Sequence, residues 1–127
     1  MTIDMQVFPF PLSSAFVAIL EAEIAKAAVP SASGVTLSLR DPGYSPETGG
    51  FHPVEIRIDA PGRIEYVTDF AFVGLPPFGE LAKEIDLDVS LGLFQHFGRE
   101  FPIHHGRDLF ALWQGNFVSY HRMRVYT

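Results

Sequence analysis

The sequence predicts an α+β domain: a twisted antiparallel β-sheet of about five to seven strands, flanked by an N-terminal and a C-terminal helix. Three observations predict it. Residues 54–72 alternate in side-chain character on both sides of an Ala60-Pro61-Gly62 turn, as a β-hairpin with one buried face does. Residues 13–28 and residues 107–123 instead repeat their apolar side chains at helical intervals. No linker, repeat or low-complexity stretch divides the 127 residues, so a single domain is expected.

The first helix is expected from Ser13 or Ser14 to about residue 28. Ser13 suits an N-cap, and Leu12 stands where a hydrophobic staple needs it. Pro30 and the Ser-Ala-Ser-Gly after it end the helix. Phe16, Leu20, Ile24 and Ala27 share a face; Ala18, Ala22 and Ala25 lie opposite, with only Glu21, Glu23 and Lys26 charged. A helix this weakly polar is either a self-association surface or an alanine-rich surface helix.

Residues 35–40 alternate as a short strand, and residues 41–51, with two prolines and three glycines, form a loop. In the hairpin, Val54, Ile56 and Ile58 point one way, and Glu55, Arg57 and Asp59 the other. On the returning strand Ile64, Tyr66, Thr68, Phe70 and Phe72 share a face. Residues 74–79 break the sheet, and residues 81–89 resume it with Leu81, Ile85, Leu87 and Val89 inward and Glu84, Asp86 and Asp88 outward. Residues 91–97 and 99–103 read as two further strands turning at Gly98. On the last helix, Leu109, Trp113, Phe117 and Tyr120 form a stripe with Leu112 and Met123 at its edge; Arg107, Gln114, Val118 and Arg122 lie opposite.

Composition excludes several classes of function. With no cysteine, thiolate catalysis, disulfides and cysteine-containing zinc sites are absent. Hydrophobic residues make up 47% and phenylalanine alone numbers twelve, enough for a core without metals or cross-links. No uncharged apolar stretch is long enough to span a bilayer. Met1-Thr2-Ile3-Asp4 lacks the basic region of an export signal, and Pro9 and Pro11 interrupt the apolar run, so a soluble cytoplasmic protein is expected. The net charge of −6 is uneven: residues 1–106 hold six lysines or arginines against fourteen acidic residues, and the C-terminal end is mildly basic. An acidic body repels phosphate backbones, which disfavours nucleic acid as a partner.

Candidate chemistry is sparse. Glu84, Asp86 and Asp88 share a strand face and could converge on a divalent cation. Asp86-Leu87-Asp88-Val89-Ser90 begins like a calcium-binding loop, but Leu91 stands where its glycine belongs and Phe97 where its bidentate Glu belongs. A solvated or edge-protecting acidic face is therefore the favoured reading. His104 and His105, as neighbours, cannot readily grip one metal and suit a surface or a helix start. No nucleophile elbow, phosphate loop or dinucleotide fingerprint occurs. A dispersed grouping of His52, Glu55 and Asp69 is conceivable, with both carboxylates on the outward face of the hairpin. Asn116 falls inside the apolar stripe of the last helix, where a buried amide needs partners such as strand backbone or the Trp113 indole. The alternative places Asn116 in an aromatic pocket with Trp113 and Tyr120, or at an oligomer contact. Tyr44 and Phe51, in the loop of residues 41–51, could present aromatic surface to a partner.

Four segments carry a resemblance: Gly50-Phe51-His52-Pro53-Val54-Glu55-Ile56, Tyr66-Val67-Thr68-Asp69-Phe70, Glu80-Leu81-Ala82-Lys83-Glu84-Ile85-Asp86 and Leu112-Trp113-Gln114-Gly115-Asn116-Phe117. From about Gly50 onward the chain resembles an uncharacterised bacterial domain family of unknown function, whose members are carried on mobile genomic islands. The resemblance implies a fold similar to that of the acidic mitochondrial matrix protein that also acts as a complement receptor. It implies no reaction, no cofactor and no catalytic residues. That mitochondrial relative is a trimeric, strongly acidic, multi-partner binder, whereas this chain is shorter, less acidic and without long acidic loops, and fold does not fix function. The expected function is a non-enzymatic protein-interaction module, self-associating or meeting a protein partner through its outer sheet face or loops. The alternative is a small-molecule-binding protein or enzyme with an aromatic pocket near Trp113, Asn116 and Tyr120.

Overall fold

The computed structural model describes residues 2–27, 33–45, 49–73 and 80–126. Helix α1 (Ser14–Lys26) is followed by strands β1 (Val35–Leu39), β2 (Val54–Ile58), β3 (Ile64–Val73), β4 (Glu80–Asp88), β5 (Leu93–His96) and β6 (Arg99–Pro102). A short 3-10 turn (Ile103–Gly106) then leads into helix α2 (Arg107–Arg122). The six strands form one antiparallel sheet in chain order, so each is joined to its neighbour by a local connection. The α+β class, the antiparallel sheet and the two terminal helices follow the expectation from sequence. No helix among the described residues is long and apolar enough to cross a membrane.

Local chemistry explains the ends of the elements. The Ser13 hydroxyl accepts the Phe16 amide at 3.1 Å, capping α1 as its sequence requires. The β2–β3 turn is tied by Asp59, whose carboxylate accepts the Arg63 amide at 2.7 Å. Gly62 in that turn has φ +97°, and a Cβ there would stand 2.0 Å from the Thr2 carbonyl oxygen. Only glycine lets the N-terminal segment cross the turn so closely. Between β5 and β6, Phe97 (φ 49°) and Gly98 (φ 82°) make a two-residue turn with both φ positive, the hairpin geometry that matches strand twist. His104 and His105 are exposed in the 3-10 turn that leads α2.

The core lies between one sheet face and the two helices. Leu37, Leu39, Val54, Ile56, Ile58, Ile64, Val67, Leu87 and Phe94 supply the sheet side; Phe16, Val17, Leu20, Phe110, Phe117 and Val118 the helices. Ile3, Phe8, Phe10 and Leu12 complete it from an N-terminal segment that is neither helix nor strand. Phe8 and Phe10 pack on Phe110 with ring centroids 5.0 and 5.7 Å apart. On α1, Ala27 is exposed and Ile24 half-buried, so the buried face is Phe16, Val17 and Leu20. Glu23 of α1 meets His121 of α2 at 2.9 Å. Burial works to raise the Glu23 pKa, but hydrogen bonds from His121 and Lys26 outweigh it and hold the carboxyl below its usual value.

Packing of the N-terminal segment corrects the expected stripe of α2. Gln114, read as solvent-facing, is 8% exposed; its Oε1 accepts the Ser13 amide at 3.0 Å and its Nε2 donates to the Pro11 carbonyl at 3.4 Å. Val118 is buried as well, whereas Leu112 and Met123 are 64% and 63% exposed. The helix is rotated because it is covered by the sheet on one flank and by residues 8–13 on the other. A buried amide with both ends bonded costs little to bury. Asn116, read as the buried amide of α2, is exposed.

Two register shifts correct the expected strand faces. Ile58 pairs with Ile64 but Arg57 with Tyr66, so Glu65 has no partner on β2. Beyond that bulge the phase inverts: Val67 and Asp69 face the core opposite Ile56 and Val54, and Tyr66 and Thr68 point to the other sheet face, where Thr68 is nonetheless buried. Phe70 is half-buried, and the side chain of Phe72 lies outside the described residues. Across β3–β4, Asp69 pairs with Ile85 but Phe70 with Lys83, leaving Glu84 without a partner on β3. Leu81, expected to face inward, is exposed.

Candidate functional site

The second bulge divides the acidic ladder. Asp86 and Asp88 stay on the outer face, opposite Thr68 and Tyr66. There Asp86 accepts the Thr68 hydroxyl at 2.7 Å and lies 3.7 Å from Lys83 Nζ, and Asp88 accepts the Leu91 amide at 3.0 Å. Glu55 is also outward, accepting the Tyr66 phenol at 2.6 Å. Burial first, and Glu55 second, push the Tyr66 pKa up to about 12, so that hydroxyl stays a donor. These acidic groups are occupied in structural hydrogen bonds. Glu84, Asp86 and Asp88 do not share one face, as the disfavoured cation reading needs, because an unpaired strand residue is re-aimed relative to its neighbours. Glu84 turns to the core side with Ile85, and both line a cleft against α2.

At the floor of that cleft, His52 Nδ1 lies 2.8 Å from Glu84 Oε2 and 2.9 Å from Asp69 Oδ1. Two carboxylate oxygens around one ring nitrogen require a proton on it, so Nδ1 is the donor. The Asp69 hydrogen bond is the largest cause raising the His52 pKa; partial burial opposes it, and the charges of Asp69 and Glu84 reinforce it. The other Asp69 oxygen accepts the Trp113 indole N–H at 2.9 Å, which fixes the carboxylate from the helix side. Asp69 is 8% exposed, so its two hydrogen bonds replace water rather than supplement it. Thus His52 and Asp69 do come together, on the inner face, and Glu84 rather than Glu55 completes the group.

His52 is held by the loop before β2. The Asp41 carboxylate accepts the Phe51 amide at 3.0 Å and the Gly43 amide at 2.9 Å, and these bonds hold its pKa below the usual value. Of the loop expected over residues 41–51, residues 46–48 lie outside the described residues. Tyr44 and Phe51 fold back toward the site: Tyr44 is 5.3 Å from the His52 ring, and Phe51 is 4.6 Å from Tyr120.

The cleft has a volume of about 300 Å³, walled by Phe51, Trp113, Phe117, Tyr120 and Tyr126, with Gly50, Ile85 and Asn116 completing its lining. Trp113 and Phe117 are stacked at 5.1 Å, and Phe117 stacks on Tyr126 at 5.7 Å. Burial, and then the charge of Asp69, keep the Tyr126 phenol protonated far above its ordinary range. The volume is at the lower end of small-molecule sites, about 300–1,000 Å³. Trp113, Asn116 and Tyr120, where the alternative reading puts an aromatic pocket, all line this cleft, and the Trp113 indole bonds Asp69 rather than Asn116. Among the described residues, neither Lys nor Arg lines it, and neither does Ser or Thr. The arrangement holds a proton, accepts hydrogen bonds and presents a net negative floor under aromatic faces. Reading the sequence misses Glu84 as a partner of His52; the available hint is Asp69 itself, a carboxylate set between Val67 and Ala71 on a mostly apolar strand.

Comparisons agree with this fold. A hypothetical protein, VC0508, from the VSP-II pathogenicity island of Vibrio cholerae superposes with TM-score 0.81 at 31% identity, covering 98% of this chain and 95% of that one. A second, VC1805 from pathogenicity island VPI-2 of Vibrio cholerae, gives TM-score 0.77 at 35% identity, covering 92% and 91%; it is described as sharing structural homology with the human P32 protein. No curated protein matches this chain. Residues 14–127 match the family described as "Protein of unknown function (DUF2787)", and the chain belongs to that family.

Proposed function

We propose that this protein is a non-enzymatic binding module whose working site is the cleft between α2 and strands β2–β4, and that it receives the positively charged end of a small organic ligand, an ammonium or guanidinium group. One observation carries the reading: Asp69 and Glu84 converge on His52 beside five aromatic rings, with no lysine or arginine among the described lining residues. Even with His52 charged, the floor keeps a net negative charge. A cation over a desolvated aromatic face gains up to about 2 kcal/mol beyond its ion pairing.

Trp113 is the chain's single tryptophan, so its emission reports this cleft alone. Titration with tetramethylammonium, benzylamine and guanidinium, with a chelator present, is expected to shift Trp113 emission saturably. The neutral analogue benzyl alcohol is expected to bind at least about tenfold more weakly, the equivalent of roughly 1.4 kcal/mol. Equal responses to neutral and cationic probes, or none up to millimolar concentration, would overturn the reading. A second reading takes the cation from a protein partner's basic side chain. It is favoured by exposed Leu112 on α2 and exposed Met123 at its C-terminal cap, on either side of Asn116 in sequence. A lysine-containing peptide that outbinds free amines would support it.

A further inference from the structure

We propose that His52 Nδ1, Asp69 Oδ1 and Glu84 Oε2 form a binding site for a divalent first-row transition-metal ion such as zinc or manganese. This inference goes beyond the organic-cation reading and does not depend on it, although both cations would use the same floor and so exclude one another.

The donor atoms of these three residues all lie within 4.8 Å of one another, the one such group among the described residues. Metal–nitrogen and metal–oxygen bonds of about 2.0–2.2 Å in tetrahedral or octahedral arrangement put adjacent donors roughly 3.0–3.5 Å apart. The observed separations of 2.8 and 2.9 Å from Nδ1 need to open by only a few tenths of an ångström. The ion takes the place of the Nδ1 proton, which leaves to solvent; three metal–ligand bonds replace that proton's two hydrogen bonds and three of the ion's waters, which are released.

Three features distinguish this group from the acidic residues on the outer face. It contains an imidazole, a donor that suits zinc, iron and other transition metals better than magnesium or calcium. Its Asp69 is buried and oriented by the Trp113 indole, the kind of outer partner that fixes a ligating carboxylate. Glu84 owes its inward aim to a bulge, a device concentrated at functional positions in sheets. Asp86 and Asp88 have no imidazole beside them and sit on no bulge, and their hydrogen bonds come from Thr68 and the Leu91 amide on the outer face. With three protein donors, the remaining coordination positions are left for water or ligand atoms.

The test is calorimetric titration of the chelator-stripped full chain with zinc chloride and manganese chloride, and with magnesium chloride for comparison. One equivalent of zinc or manganese is expected to bind, at least about 100-fold more weakly in His52→Gln and in Glu84→Gln, while Asp86→Asn leaves binding unchanged. Circular dichroism checks that the variants fold; Glu84→Gln keeps the size of a side chain that is 21% exposed. No binding to the wild-type chain at millimolar metal, binding that survives in both variants, or loss in Asp86→Asn would each overturn the site. Because the amine titration runs in chelator and this one runs without amine, failure of either leaves the other standing.

Discussion

Replacing Phe16 by alanine is expected to lower the stability of the protein by about 3–5 kcal/mol, the cost of deleting a fully buried aromatic ring and leaving a cavity. Phe16 is 0% exposed, and its ring meets Phe110, Trp113 and Phe117 edge-on at 6.2, 6.1 and 5.6 Å. It is where α1 reaches the buried face of α2, so no neighbouring side chain can swing into the space. For a domain of this size the loss corresponds to a fall in melting temperature of roughly 10–20 °C. Leu112→Ala is the contrast: at 64% exposure it is expected to change stability by no more than about 0.5 kcal/mol. Thermal and urea denaturation of the two variants measures both. A Leu112 effect equal to that of Phe16 would mean that α2 buries the stripe first read from its sequence and not the face containing Gln114.

Asp69→Asn is expected to have the largest effect on the cleft. Asp69 accepts two hydrogen bonds, from His52 Nδ1 and from Trp113 Nε1. An asparagine offers one acceptor and one donor, so one of those N–H groups is left facing an N–H. An unmet buried group of this kind costs about 1–3 kcal/mol. Loss of the carboxylate also removes half the negative charge of the floor, and cation binding is expected to weaken by at least about tenfold. The pH dependence follows from His52, whose pKa is raised in the fold above its usual 6.5, chiefly by Asp69. A group raised on folding contributes stability that is fully present below its unfolded value and is lost as pH rises through its folded one. Wild-type stability is therefore expected to decline as pH climbs from about 6.5 through the raised value, and Asp69→Asn to flatten that decline. Denaturant unfolding across this range, in both proteins, measures the difference.

How much of this could be read from residue order depends on the element. The start of α1 is legible in Leu12-Ser13, because a cap is a local interaction between a side chain and the amides beside it. The strands and their antiparallel order are legible in their alternation and in the short turns at Ala60-Pro61-Gly62 and Gly98. Alternation cannot carry a bulge. It counts through Glu65 and Glu84 as if each had a partner, so it sends Tyr66 and Thr68 to the core, Asp69 outward and Glu84 to the side of Asp86. Each of those assignments is inverted by one extra residue. The face of α2 is lost for a different reason. Gln114 looks solvent-facing until a segment more than 100 positions away supplies its partners, and that segment, with Pro9 and Pro11, has no periodicity to announce that it packs. Tyr120 and Trp113 stand out in the sequence as aromatic residues around Asn116, although that amide is read there as buried and is exposed in the fold. Of the acid–imidazole floor, His52 and Asp69 are legible as a conceivable pair, but Glu84 is not, since only the bulge turns it inward.

The most direct measurement is the NMR titration of the His52 ring in the wild-type chain, Glu84→Gln and Asp86→Asn, with His52→Gln identifying its resonance among the five histidines. If the bulge turns Glu84 into the cleft, His52 titrates above 6.5 in the wild type, falls in Glu84→Gln and stays put in Asp86→Asn. A His52 pKa that ignores Glu84, or that moves with Asp86 instead, would contradict it.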